Sequence, residues 1–242
     1  MSEKDIFITK ETIKRLSRDV KDILMNPLDL HNNHIYYKHD EDDFLKGYAL
    51  IVGPKDTIYF GGYYFFEFKF PGNYPHKPPT LKYCTNDGVT RFHPNLYKSG
   101  KCCLSILNTW KGEQWTGCQT IKSILLALVT ILDEKPLLNE PGIGENHRDF
   151  KTYNKIIKYK NFQIAIVEML KNSTNFIPKD YNDYFYPYMK EHFEKNYIEL
   201  EKILKENKRT QKVKFKATQL YCMKIQINYP LIYKQFKSIT FE

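Results

Sequence analysis

Tyr64-Phe65-Phe66-Glu67-Phe68-Lys69-Phe70 carries the clearest alternation in the chain. Successive side chains of an extended strand point to opposite faces, so Tyr64, Phe66, Phe68 and Phe70 share one apolar face while Glu67 and Lys69 point away. Around this run lie Ile35 to Lys38, Tyr48 to Val52, Tyr63 to Phe70 and Thr80 to Tyr83, aromatic and β-branched segments separated by acidic, Gly or Pro punctuation. They predict a four-stranded antiparallel meander with one face to be covered. The segment Thr120 to Asp133, with Ile121, Ile124, Leu125, Leu128 and Leu132 on a broad apolar stripe, supplies the covering helix. Before the sheet, Ile13, Leu16, Val20, Ile23 and Leu24 recur at helical spacing between Glu11 and Met25, with Lys14, Arg15, Arg18 and Lys21 on the exposed side. The fold class is α+β.

Beyond Gly142 the pattern is helical again, over Tyr153 to Leu170 and Tyr188 to Leu204, with Pro178 and Pro187 as breaks. From Lys212 to Glu242 the period fades, leaving helix and strand both open. This predicts a core domain over 1–170 and a mostly helical extension over 171–242 packed on it.

The composition supports one good core: 42% of the 242 residues are hydrophobic and 15% aromatic, which argues against disorder. The longest apolar run, Ser123 to Leu132, falls well short of the ~20 residues of a membrane span, and the opening MSEKDIFITKETIK is charged and mixed. No membrane partner is expected. Cysteines 84, 102, 103, 118 and 222 form no CxxC pair and no zinc spacing, so the expectation is free thiols in a reducing, intracellular setting, cytoplasmic or nuclear, with no metal. A net charge of +9 would suit nucleic acid, but the basic residues are interleaved with Asp, Glu and Tyr in the manner of a solvated face. Steering of an acidic protein partner is the expected use.

Between the last strand and the covering helix, Cys84 to Gln119 shows little periodicity, and loops of that length inside a compact domain are usually functional. It contains His93-Pro94-Asn95, followed eight residues after Asn95 by Cys103 and then Leu104-Ser105-Ile106-Leu107. This resembles the active-site motif of the ubiquitin-conjugating enzymes. Gly53-Pro54, Gly61-Gly62, Phe70-Pro71, and Tyr74-Pro75-His76-Lys77-Pro78-Pro79 follow the family's order, and the resemblance spans roughly Glu11 to Pro141.

The resemblance implies that Cys103, rather than Cys102, carries the C-terminal glycine of ubiquitin or a ubiquitin-like protein as a thioester; sulfur serves both as nucleophile and as leaving group. Asn95 would hydrogen-bond the oxyanion or order the loop beside it. In the family His93 is a structural residue, and Pro94 restricts the loop that positions Asn95. Aligning Glu140-Pro141 with the family's acid and proline makes Glu140, flanked by Asn139, the candidate for helping an attacking lysine lose its proton. The bland reading is a solvated loop glutamate.

The segment from Cys103 to Trp115 is a few residues longer than in minimal members, and with the Asn139-Glu140-Pro141-Gly142 ending it resembles a subgroup that includes ubiquitin-conjugating enzyme Z and the large inhibitor-of-apoptosis hybrid BRUCE. Implied partners are the modifier, an activating enzyme that meets the first helix (Lys14, Arg15, Arg18), a ligase and a protein substrate. Two ligase-gripping positions depart from the pattern: His76 stands for a large apolar residue, and Thr116-Gly117-Cys118 replaces the usual turn. Trp110 and Trp115 read as core residues beside the site. No phosphate-binding glycine loop is present, so no cofactor is expected. Asn108 and Thr109 stand where a thiol phosphatase would need Arg, and no cysteine-protease signature surrounds Cys103. The rival reading is a non-catalytic binding module of the same fold.

Overall fold

The structure is a computed structural model that describes residues 7–30, 33–210 and 213–241; the opening Met1 to Ile6, and Lys212 and Glu242 of the uncertain tail, lie outside them. Helix α1 (Lys10–Met25) starts where the Thr9 side chain accepts the Thr12 amide, the usual service of a threonine at an N-cap. Four long antiparallel strands follow in sequence order, β2 (Asn33–His39), β3 (Lys46–Val52), β4 (Tyr63–Lys69) and β5 (Thr80–Tyr83), with a two-residue strand β1 (Asp29–Leu30) added at the β2 edge. The register places Ala49 opposite Phe66, Leu50 opposite Phe65, and Phe68 opposite Leu81. Helix α2 (Ile121–Ile131) opens with a reciprocal cap between Thr120 and Ser123 and buries Ile121, Ile124, Leu125 and Leu128 completely.

Three expectations need correction. The sheet is covered on both faces. Pro187 does not break a helix, because α5 runs unbroken from Lys179 to Thr210. A proline removes one backbone donor and tends to kink a helix. Here Phe185 and Met189 on either side are fully buried, and Tyr36 and Tyr188 stack at 3.9 Å, so tertiary packing holds the helix through that gap. Thirdly, the helix expected over Tyr153 to Leu170 runs from α3 (Phe150–Lys160) through a wider π-helical stretch (Asn161–Glu168) into α4 (Met169–Lys171).

Helix α5 is what covers the second sheet face. Phe185 meets Phe65 edge-on at 5.2 Å, Tyr181 lies 4.4 Å from Tyr48, and the Tyr63 hydroxyl donates to the Met189 carbonyl at 2.7 Å. The signal was in the sequence: Tyr63 and Phe65 sit on the face assigned to Glu67 and Lys69, so that face is apolar at one end. The tail resolves into a hairpin, β6 (Lys214–Ala217) and β7 (Lys224–Ile227), and helix α6 (Tyr229–Lys237). Buried side chains from Leu16 to Phe236 form one hydrophobic cluster, and the expected division at 170/171 falls inside α4.

Candidate active site

The long loop after β5 is held by its own backbone. Gly100 turns it with φ +86°, a conformation that favours glycine, and a Cβ there would stand 2.8 Å from the Tyr83 carbonyl. Short antiparallel bridges pair Lys82 with Lys101, and Leu96 with Cys102. Asn95 and Cys103 are tied twice: the Cys103 amide donates to the Asn95 carbonyl at 2.9 Å, and Asn95 Nδ2 donates to the Cys103 carbonyl at 2.5 Å. An amide nitrogen carries two hydrogens, so one remains for a further acceptor. Of the two roles considered for Asn95, this geometry presents the ordering of the loop.

His93 is fully buried and its Nδ1 accepts the Asn95 amide at 3.0 Å. The neutral tautomer then carries its proton on Nε2, which has no partner among the described residues. Burial, with the Arg91 charge second, lowers its pKa to about 3, so it stays neutral at physiological pH. Arg91 clamps the tripeptide from outside, donating to the carbonyls of His93 and Pro94 and stacking its guanidinium on the Tyr97 ring at 3.2 Å.

The adjacent cysteines differ. Cys102 belongs to the hydrophobic cluster, and burial pushes its thiol well above the ordinary range, as it pushes Cys84 up to about 11. Cys103 lies outside that cluster but is 2% exposed.

The other expected residues fall in two places. Asn139 Nδ2 donates to Asp133 at 2.9 Å and to the Pro136 carbonyl, fixing the turn before Glu140. Glu140 accepts from the Tyr221 hydroxyl at 2.5 Å, a partner in the extension. At the first helix, Lys14 and Arg18 are exposed, whereas Arg15 pairs with buried Asp19 at 2.9 Å and donates to the carbonyls of Gly117 and Gln119. Arg15 and Gly117, both expected at a partner surface, are thus bonded to each other. His76 is paired with Glu11 at 2.9 Å. Trp115 enters the core and donates to the Pro75 carbonyl, but Trp110 stays half-buried outside the cluster, in a run of turns and bends.

The ubiquitin-conjugating enzyme family model matches residues 15–174, which is more than half of the chain. The chain belongs to the ubiquitin-conjugating enzyme family. It is 37% identical to ubiquitin-conjugating enzyme E2 Z of Xenopus tropicalis over 67% of this chain and 52% of that protein. The human E2 Z is 37% identical over 66% of this chain and 45% of its own length. The human dual E2 ubiquitin-conjugating enzyme/E3 ubiquitin-protein ligase BIRC6 is 35% identical over 64% of this chain and 3% of its own. These are the subgroup that the motif spacing resembles, and the chain spans about half the length of the E2 Z proteins it matches. Among solved structures, human ubiquitin-conjugating enzyme E2 G1 aligns with a TM-score of 0.42 at 31% identity, covering 48% of this chain and 90% of that one, so the assignment rests on the sequence matches.

Within this conjugating fold, the sequence reading missed Arg91, Tyr97 and Tyr221. Arg91 was discoverable, as a cation two positions before a buried His-Pro-Asn turn. Tyr221, separated from Glu140 by 81 residues, gave no local sign.

Proposed function

We propose that this chain accepts ubiquitin, or a ubiquitin-like protein, from an activating enzyme as a thioester on Cys103 and passes it to a lysine or to a ligase. The observation that carries this is the double tie between Asn95 and Cys103 inside the family-matching segment, which fixes the backbone from which the thiol projects. In charging, the Cys103 thiolate attacks the donor thioester carbonyl and the activating enzyme's sulfur leaves as thiolate. In transfer, a lysine ammonium gives up one proton, its nitrogen attacks the carbonyl carbon, and the C–S bond breaks with the electron pair returning to Cys103 Sγ. The second amine proton is lost as the amide forms. Asn95 keeps the loop in place and has a hydrogen left for the oxyanion; Glu140 is the carboxylate we assign to the first proton.

Exposed Lys14 and Arg18, with Glu11 and Pro75, rim a shallow hollow that supports an acidic partner such as the activating enzyme's surface. Five free cysteines support action in a reducing compartment inside the cell.

The burial of Cys103 is the observation that favours a second reading, a non-catalytic module of the same fold. One gel separates the two. Incubated with activating enzyme, ATP and ubiquitin or its relatives, the wild-type chain gives a band lost on reduction, and Cys103→Ser gives a reductant-resistant ester. Asn95→Ala charges but discharges to lysine about 100- to 1,000-fold more slowly. No Cys103-dependent adduct with any modifier would leave only the binding-module reading.

A further inference from the structure

The tip of the β6–β7 hairpin is bound both to the start of α3 and to the loop that carries Asn95 and Cys103. The buried carboxylate of Asp149 accepts the amides of Gln219 and Leu220 at 2.9 and 2.8 Å. Lys98, in the loop before Cys103, donates to the Tyr221 carbonyl at 2.6 Å, and the Arg91 amide faces Met223 Sδ at 3.3 Å. Tyr221 and Cys222 both hold left-handed backbone, φ 62° and 48°, without being glycine. Such residues persist where the surroundings over-determine them, and they concentrate at functional sites. The Tyr221 ring packs on the Arg91 guanidinium at 4.9 Å and against Tyr153 at 6.0 Å, and its hydroxyl ends on Glu140. Arg91 is also the side chain that holds the carbonyls of His93 and Pro94.

We propose that this hairpin tip is part of the transfer site and that Tyr221 is the positioning residue that aims the Glu140 carboxylate at the incoming lysine. The proposal rests on the role given to Glu140 above. A carboxylate fixed through Oε2 by a neutral donor keeps its other oxygen for an ammonium, and a fixed orientation removes the search that a solvated loop glutamate would make. Burial, and then the bond to Glu140, hold the phenol protonated throughout the working pH range, so the donor is permanent. The extension thereby completes a site whose other members come from the conjugating core.

The test is single-turnover discharge of preformed Cys103–ubiquitin thioester to free lysine, using the full chain. Tyr221→Phe keeps the ring and its packing while removing only the hydroxyl. It is expected to slow discharge about tenfold, the loss of one hydrogen bond to a charged group, with charging little changed. Glu140→Gln should also slow discharge, and adding Tyr221→Phe to it should slow it no further. That non-additivity is the signature of action through Glu140. Equal slowing of charging and discharge by Tyr221→Phe, faster discharge, or a full additional loss in the double variant would overturn the positioning role. A chain in which Glu140→Gln discharges normally would instead overturn the reading of Glu140 itself, and one that never charges would overturn the reading of Cys103.

Discussion

At the residue scale, His93 shows how a titratable group can serve by refusing a proton. Its imidazole is buried and accepts the Asn95 amide, so protonation would both charge a dry site and remove that acceptor. With a folded pKa of about 3 against about 6.5 in an unfolded chain, the unfolded state takes up a proton that the folded state declines across that interval. The contribution is therefore complete above pH 6.5 and is lost as pH falls toward 3, at up to about 1.4 kcal/mol per pH unit. His93→Gln is expected to be less stable at pH 7 but to lose stability less steeply between pH 6.5 and 4. Parallel wild-type and variant curves in urea titrations over that range would refute this account. A histidine kept neutral and already accepting a backbone amide is suited to holding the Asn95 turn.

At the element scale, the π-helical stretch that interrupts α3 begins at Asn161, and that residue explains its place. Asn161 Oδ1 accepts the Tyr64 hydroxyl at 2.6 Å and its Nδ2 donates to the Phe60 carbonyl at 3.0 Å, joining the helix to β4 and to the turn before it. Gly62 is required beside it, since a Cβ there would stand 2.0 Å from Asn161 Oδ1. Wider helical stretches of this kind re-aim a side chain that a regular turn would carry elsewhere. Asn161→Ala strands the Tyr64 hydroxyl in a dry site and removes the donor to the partly buried Phe60 carbonyl, and should cost about 2 to 3 kcal/mol in denaturant unfolding. Pairing it with Tyr64→Phe should recover part of the loss; a double variant as unstable as the sum would argue against the shared bond.

At the scale of the whole molecule, α5 extends the one hydrophobic core across the second face of the sheet. Phe185 is fully buried against Phe65, and the same cluster reaches Phe236 in α6. We infer that residues 171–242 unfold together with the conjugating core. Phe185→Ala is expected to lower stability by about 3 to 5 kcal/mol while leaving a single unfolding transition. An early transition confined to the extension, with the core melting as before, would show the two parts to be independent. The extension also brings the hairpin tip to Glu140, through the Tyr221 hydroxyl.

The residues alone determined the four long strands, both helices of the core and the loop bearing Asn95 and Cys103, because each has a local cause: alternation along Tyr64 to Phe70, the stripe from Ile121 to Leu132, a fixed interval from Asn95 to Cys103. Tertiary structure decided what depends on partners distant in sequence. The helix through Pro187 exists because buried neighbours outweigh one missing hydrogen bond, and the covering of the Tyr63 and Phe65 face needed a helix more than a hundred residues downstream. Cys103 is sealed to 2% exposure and Glu140 is gripped by Tyr221 for the same reason. Periodicity specifies which face of an element is apolar, whereas packing alone specifies what that face meets.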